Sequence, residues 1–207
     1  MGVVNLHGDP SPKPGYYILD SNIWLPILGL EEGGGVHYKI FFDKLFKTDN
    51  CKILLCPIQL SEILNKLLRF HARKLYDQKY KDKTGAKPKF VDFYKQDYRG
   101  GEDFKKKYEI IIDDLAGYES HIAMVDVKGI DYATLTTFSI GNVDFNDHYL
   151  CLLAKETGAT IVTHDGDFFN TDVNVATFNL KLYNQSKDNI KPILGAKLVT
   201  VATEKPE

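Results

Sequence analysis

Four acidic residues stand where segments typical of an α/β sheet end in a turn or lead into a helix: Asp20, Glu62, Asp147 and Asp165. The carboxyl ends of the strands in an open α/β sheet line one crevice, and ligands bind there. Four carboxylates in one crevice cannot all stay ionised without a cation, because like charges repel. Carboxylate oxygens suit Mg²⁺ or Mn²⁺, and these ions assist phosphate chemistry. The pattern therefore predicts a divalent-metal site that acts on phosphate.

Strands and helices alternate along the chain. Short apolar runs predict core strands at residues 16–19, 52–56, 121–127 and 160–163, and further strands that extend one edge of the sheet at 173–178 and 197–202. Apolar residues at helical spacing, together with caps and breakers, predict helices at 36–46, 58–80, 90–98, 104–118, 132–138 and 146–157. This alternation is typical of a mostly parallel sheet with helices on both faces.

The chain is interpreted as one domain with an insertion. Residues 1–15 are rich in Pro and Gly and are interpreted as an N-terminal tail, and residues 16–207 as a single domain. The segment from about 70 to 118 is longer than an ordinary connection in a compact domain, so it is predicted to be a helical insertion that rises over the strand ends.

Charge is distributed unevenly along the 207 residues, although the net charge is only −2. Residues 66–107 hold 14 Lys or Arg and 6 Asp or Glu, a net charge of +8, and the rest of the chain carries −10. The same segment contains eight aromatic residues. Basic side chains neutralise phosphates and aromatic faces stack on unpaired bases, so the segment is predicted to hold a nucleic-acid strand. The alternative is a solvated helical hairpin.

The chain offers no disulfide framework and no membrane segment. The chain has three cysteines, Cys51, Cys56 and Cys151. An odd number of cysteines gives no complete set of disulfide pairs and suits a reducing compartment. No run approaches the ~20 apolar residues that a membrane span needs, and residues 1–15 lack the features of a signal peptide. These features predict a soluble cytoplasmic protein without a membrane partner.

Three segments resemble the motifs of the PIN-domain nuclease family. Residues 18–23 (ILDSNI) resemble its opening motif, and residues 57–63 (PIQLSEI) resemble its second acidic motif. Residues 147–168 (DHYLCLLAKETGATIVTHDGDF) are similar to the end of PIN domains, those of VapC-like toxins included. This third match is the most specific, because its spacing, apolar pattern and acidic positions all agree. The resemblance covers about residues 16–70 and 120–180, and it implies a PIN-like three-layer α/β/α fold with a mostly parallel central sheet.

The resemblance also implies roles for individual residues. Asp20, Glu62, Asp147 and Asp165 would be the catalytic ligands of Mg²⁺ or Mn²⁺, and Asp167 a further residue of the metal site. Accessory roles, in orienting these carboxylates or reaching the site from outside, would fall to Asn22, Thr163 and Asp144. Family spacing favours Asp147 over Asp144 for the third acidic position, and Asp144 or Asn146 would then cap the helix.

Each acidic residue also has a purely structural interpretation. Asp20 could cap the helix that follows it, and Glu62 could interact with the dipole at the start of its helix. Asp165 and Asp167 flank a glycine in a turn, where Asp is common for local hydrogen bonding. His148 and His164 lie beside the acids as candidate bases, but a nuclease with a hard metal ion does not need a histidine base, because the ion itself activates water.

The function implied by the resemblance is a metal-dependent endoribonuclease that leaves 5′-phosphate and 3′-hydroxyl ends. Its partners would be an RNA substrate and, if it resembles VapC-like toxins in setting, an antitoxin protein and a second copy in a homodimer. The chain is longer than those compact toxins, so a free-standing nuclease acting on RNA or single-stranded DNA is a rival within the same class. The alternative from another class is a catalytically inactive PIN-like module for nucleic-acid binding or scaffolding. A phosphatase or a receiver domain fits the acidic pattern less well.

Overall fold

A parallel sheet forms the centre of the computed structural model, which describes residues 2–8, 11–30, 35–137, 143–169 and 171–186. The sheet has six strands in the order β1-β6-β5-β2-β3-β4, and every neighbouring pair is parallel. The strands are β1 (Val3–Asn5), β2 (Gly15–Leu19), β3 (Cys51–Leu55), β4 (Ile122–Met124), β5 (Thr160–Val162) and β6 (Asn174–Thr177).

Helices connect and flank these strands. They are α1 (Ser21–Ile27), α2 (Gly35–Lys47), α3 (Pro57–Tyr80), α4 (Phe90–Asp92), α5 (Glu102–Ala116), α6 (Tyr132–Thr136), α7 (Phe145–Thr157) and α8 (Leu180–Ser186). Between α4 and α5, residues Phe93–Tyr98 continue as a π-helical turn. No helix in the described ranges is both long and apolar enough to cross a membrane.

The two faces of the sheet pack against different helices. Leu19 and Val162 belong to an apolar cluster that includes residues of α1, α2, α3 and α5. Ile18 and Ile161, one position earlier on the same strands, belong to a second cluster formed with α7 and α8. Because successive side chains of a strand point to opposite faces, buried apolar residues at adjacent positions require helices on both sides. The predicted three-layer α/β/α fold is thereby confirmed.

The strand order reverses at β2. The chain passes from β2 to β3 and β4 on one side, and then places β5 and β6 on the other side. Leu19 pairs with Val162, and the backbone N–H of Asp20 donates to the Val162 carbonyl oxygen at 2.9 Å. The carboxyl ends of β2 and β5 therefore lie side by side at the point where open α/β sheets bind their ligands.

The basic aromatic segment forms a layer with an apolar cluster of its own. The second half of α3, α4, the π-helical turn and α5 pack together around Ala72, Tyr80, Phe93, Tyr94 and Tyr98, all of which are buried. The helical character predicted for 90–98 and 104–118 is observed. The prediction that aromatic faces of this segment stack on unpaired bases is wrong for the four buried aromatic residues, because their rings are already packed against neighbouring side chains.

Two elements were not predicted from the sequence. Strand β1 lies within the segment interpreted as an N-terminal tail, yet it pairs with β6 at the edge of the sheet. Helix α8 follows β6 and buries Leu182. The predicted third strand at 121–127 is shorter in the structure, where β4 spans Ile122–Met124. The strand predicted at 197–202 lies outside the described residues.

Gly158 ends α7 in the left-handed region, with φ 69°. We expect Gly158→Ala to lower the unfolding free energy by about 1–2 kcal/mol, because a Cβ atom is strained in this conformation. For a chain of this size that corresponds to a loss on the order of 2–4 °C in Tm for each kcal/mol. Gly100→Ala is the matched control, since no heavy atom lies within 4 Å of its ideal Cβ position. Thermal unfolding of both variants measures the difference, and equal Tm values for the two would contradict the assignment of a left-handed cap.

Candidate active site

Asp20 lies directly after β2, and only 5% of its surface is exposed. Its Oδ2 atom accepts hydrogen bonds from Asn22 Nδ2 and from Thr163 Oγ1, each at 2.7 Å. Although Asp20 occupies the N-cap position of α1, its side chain makes no capping hydrogen bond. The carboxylate is thus oriented by the side chain of Asn22 and by the end of β5, and not by a capping bond to the backbone of α1.

Thr163 connects Asp20 to the turn that carries Asp165. Its Oγ1 atom donates to Asp20 and accepts from the backbone N–H of Asp165 at 2.9 Å. Asp165 Oδ1 in turn accepts from the backbone N–H of Asp167 at 2.9 Å, which caps the 3₁₀ turn Gly166–Phe168. The side chain of Asp167 is exposed. Thr163 therefore fixes both the carboxylate of Asp20 and the start of the next acidic turn.

Glu62 occupies the second turn of α3, because that helix begins at Pro57. Its predicted place in the first turn was wrong, and the interaction with the helix dipole fades beyond that turn. Glu62 Oε1 lies 2.5 Å from Lys66 Nζ and accepts from Ser21 Oγ at 3.0 Å, and Oε2 accepts from Asn146 Nδ2 at 3.2 Å. Donors from α1, α3 and α7 thus converge on this one carboxylate.

Ser21 lies between the carboxylates of Asp20 and Glu62. Its hydroxyl is 3.4 Å from Asp20 Oδ1 and 3.0 Å from Glu62 Oε1, and it also lies 3.0 Å from Lys66 Nζ. The buried hydroxyl group of Ser21 therefore contacts all three side chains, those of Asp20, Glu62 and Lys66.

Asp144 and Asp147 take different roles at the start of α7. Asp144 is the N-cap, and its Oδ1 accepts from the backbone N–H of Asp147 at 2.9 Å. Asp147 is half-buried, and its pKa is raised to about 8, chiefly by burial and in addition by the negative charges of Asp20, Asp144 and Asp165. These charges act on Asp147 only because α7 begins beside the ends of β2 and β5.

The pKa of Asp20 is also raised, chiefly by burial. The hydrogen bond from Thr163 opposes the rise, the charge of Glu62 adds to it, and the charge of Lys66 opposes it. The acids from all three motifs therefore influence one another's charge state, either directly or through Asp20.

The chemistry of these donors fits a hard divalent cation. They are carboxylate oxygens, which Mg²⁺ and Mn²⁺ prefer, and a bound cation would offset the burial and the repulsion that together raise the pKa of Asp147. Within the described ranges, however, no three His, Cys, Asp or Glu side chains are grouped so that they could hold a metal ion together. In this arrangement Glu62 is turned towards Lys66, Ser21 and Asn146.

The contacts of Lys66 and Tyr38 are among those at the site that were missed from the sequence. Lys66 follows Glu62 by four residues, a spacing at which opposite charges pair on a helix, so that contact could have been found. Tyr38 of α2 gave no such signal. Its hydroxyl donates to the Thr163 carbonyl oxygen at 3.0 Å, accepts from the Phe178 backbone N–H at 3.1 Å and lies 3.0 Å from His164 Nδ1. It therefore anchors the ends of β5 and β6.

The raised pKa of Asp147 predicts how stability depends on pH in the absence of metal. Between about pH 4 and pH 8 the folded protein keeps a proton on Asp147 that the unfolded chain has released, so stability falls as the pH rises through this window. We expect Asp147→Asn, which removes the charge and keeps the volume, to raise Tm above pH 8 by on the order of 2–4 °C for each kcal/mol that it restores, and by much less near pH 4.

The measurement is a series of thermal melts in EDTA across this pH range. Asp113→Asn, at an exposed position of α5, is the control for loss of one negative charge. A difference in Tm between wild type and Asp147→Asn that does not grow with pH would contradict a crowded carboxylate at this position.

Comparison with known proteins assigns the chain to a family. Residues 17–174 match the model of the PIN domain. Two solved structures are similar at low sequence identity. One is the structure of VapBC2 from Rickettsia felis bound to a promoter DNA fragment. It shares 16% sequence identity with this chain at a TM-score of 0.43, and the match covers 78% of this chain and 98% of that chain. The other is the structure of PAE2754 from Pyrobaculum aerophilum. It shares 13% sequence identity with this chain at a TM-score of 0.45, and the match covers 88% of this chain and 96% of that chain. No curated protein matches. Because the family model spans more than half of its length, this chain belongs to the PIN domain family.

Proposed function

We propose that this protein is a divalent-metal-dependent endoribonuclease. The observation that carries the proposal is the placement of Asp20. Its buried carboxylate lies where the strand order reverses, is oriented by Asn22 and Thr163, and shares its surroundings with Asp147. PIN domains are in general nucleases, which agrees with a site of this kind.

The proposed ligands of Mg²⁺ or Mn²⁺ are Asp20, Glu62, Asp147 and Asp165, with Asp167 at the margin of the site. A divalent ion held there would lower the pKa of water and neutralise charge on the phosphate. Asn22 and Thr163 keep Asp20 in one orientation, and Asp144 fixes the first turn of α7 and so the position of Asp147. Residues that orient ligands in this way are a regular part of metal sites.

The reaction is hydrolysis of a phosphodiester bond. The oxygen of a water molecule forms a new bond to phosphorus in line with the departing 3′ oxygen, and the bond from phosphorus to that oxygen breaks. The water loses a proton to solvent and the leaving oxygen gains one, so the products carry 5′-phosphate and 3′-hydroxyl ends. The basic residues of segment 66–107 would hold the RNA, since the rest of the chain is acidic and repels a polyanion.

The proposed partners follow from family membership. An antitoxin protein and a homodimer belong to the toxin setting, whereas a free-standing nuclease acting on RNA or single-stranded DNA needs neither. We also propose the domain limits inferred from the sequence: a single PIN-like domain with a helical insertion at about 70–118. Strand β1 shows that the sheet also uses residues before position 16.

Two observations favour the second candidate, an inactive PIN-like module. Glu62 is already paired with Lys66 at 2.5 Å, and the described part of the chain holds no cluster of three metal-binding side chains. A module of this kind would bind nucleic acid through its basic segment and would not cleave it. A direct test of cleavage separates the two candidates.

We expect the wild-type protein to cleave single-stranded RNA with Mg²⁺ or Mn²⁺, poorly with Ca²⁺, and not in EDTA. Ca²⁺ prefers longer bonds and looser geometry, so it positions reacting groups badly. Asp20→Asn should lower the rate by more than the ~10–100-fold typical for loss of an outer partner of a metal ligand. The rate is measured on an end-labelled RNA, and the chemistry of the new ends is determined by phosphatase and ligase treatment.

The control for this experiment is Asp113→Asn, which should cleave as the wild type does. Circular dichroism and Tm establish that the Asp20→Asn protein is folded. Equal cleavage by wild type and Asp20→Asn, with or without EDTA, would reject the mechanism. RNA binding by the wild type with no cleavage in any metal would favour the inactive module.

A further inference from the structure

A groove lies beside the acidic site on the surface of α3. Its volume is about 550 Å³, within the range of about 300–1,000 Å³ that is usual for ligand sites. It is lined by Pro57, Ile58, Ser61, Glu62, Asn65, Lys66, Arg69 and Asn146. Glu62 is thus shared between the acidic site and this groove, while the other polar lining side chains are hydrogen-bond donors or cations. A ligand in the groove would carry negative charge and would lie next to a group held at the acidic site.

Cationic residues continue from the groove along one face of α3. Glu62, Lys66, Arg69 and Arg73 are spaced by four, three and four residues, which places them in a single row on a helix. With a rise of 1.5 Å per residue, Arg69 lies about 10 Å and Arg73 about 16 Å from Glu62 along the helix axis. We name Arg69 and Arg73 the arginine pair. The pair leads from the acidic site towards the insertion.

The aromatic cluster of the insertion holds both guanidinium groups in place. Arg69 Cζ lies 5.4 Å from the centroid of the Tyr94 ring, and Arg73 Cζ lies 4.3 Å from that of Phe90. A guanidinium group that lies over a ring face is attracted by the ring and keeps N–H groups at its edge available for hydrogen bonds. These edges match phosphate oxygens in a bidentate arrangement.

The arginine pair differs from two lysines of the same helix, Lys66 and Lys79, in its charge balance. Lys66 is paired with Glu62, and Lys79 lies 3.4 Å from Asp97. In the part of the chain that the structure describes, neither arginine forms an ion pair with an acidic side chain. Two cations that are held in position, yet not neutralised by the protein, are suited to an anion from outside.

We propose that Arg69 and Arg73 bind phosphates of a single-stranded nucleic acid on one side of the bond that is cleaved. This inference rests on the proposed function. The groove beside Glu62 holds the nucleotide nearest to the cleaved bond, and the arginine pair holds the phosphates that follow. The aromatic rings of the insertion serve to position the arginines, in place of stacking on bases. Contacts of this kind read the backbone, so binding along this row is independent of base sequence.

The experiment measures affinity and its salt dependence separately from cleavage. The parent is the Asp20→Asn protein in EDTA, and the probe is a short fluorescent single-stranded RNA. Arg69→Gln, Arg73→Gln and the double variant are titrated between about 50 and 200 mM salt. The slope of log affinity against log salt is negative, and each lost phosphate contact on a single strand should make it less steep by about 0.7. The slope of the double variant should therefore be less steep than that of the parent by about 1.4.

Arg99→Gln is the matched control, since Arg99 is an exposed arginine of the same basic segment, 66–107, and does not line the groove. It should change the slope less than either variant of the arginine pair. Phe90→Leu keeps an apolar side chain but removes the ring face beneath Arg73, and it should lower affinity as well. Tm of each variant establishes that it is folded.

The outcomes separate this inference from the proposed function. An unchanged slope in the double variant, or an equal loss in Arg99→Gln, overturns the arginine pair even if the wild type cleaves RNA. The expected losses in slope support the arginine pair even if no metal promotes cleavage by the wild type, in which case only the nuclease proposal fails. Absence of RNA binding by the parent overturns the arginine pair whatever the cleavage assay shows.

Discussion

The burial of carboxylates close to one another at one end of a parallel sheet is the constraint on which the rest of this structure depends. A parallel sheet brings the carboxyl ends of its strands to one edge, and β2 and β5 lie next to each other there. Asp20 and Asp165 lie close enough to Asp147 at that edge for their negative charges to add to the rise of its pKa. Hydrogen bonds from Asn22 and Thr163 hold Asp20. For Asp147, burial and these negative charges together raise the pKa to about 8.

Glu62 shows a different response to the same constraint. Lys66 neutralises it from within the same helix, and Ser21 and Asn146 occupy its remaining acceptor positions. The four acids are therefore unequal, although they look alike in the sequence. In the part of the chain that the structure describes, neither Asp20 nor Asp147 forms an ion pair, whereas Glu62 does. To bind a divalent ion, Glu62 would first have to release the ammonium group of Lys66.

The order of strands and helices could be predicted because it depends on local patterns. Strands β2, β3 and β5 are buried on both faces, so they appear in the sequence as continuous apolar runs. Strand β1 has three half-buried residues at the edge of the sheet and leaves no such pattern. The site was predictable only in part: Asp20 and Asp165 are marked by the strand ends, but Tyr38 reaches Thr163 across 125 positions, and no local pattern encodes that contact. Composition also could not show that the aromatic residues of the insertion face one another.

The burial of those aromatic residues changes what the insertion contributes to the molecule. Exposed rings would make it a flexible surface for bases, and each ring would lose freedom on binding. Packed rings instead form a cluster against the outer half of α3, whose inner half carries Glu62. Because a helix of 24 residues is continuous from one to the other, the positions of Arg69 and Arg73 are fixed relative to the acidic site. Fixed cations lose less entropy when they bind an anion than mobile ones do. Along the sequence, the body is acidic and the basic segment is positively charged. Helix α3 gives this difference a direction in space, because it carries Glu62 in its inner half and Arg69 and Arg73 further along.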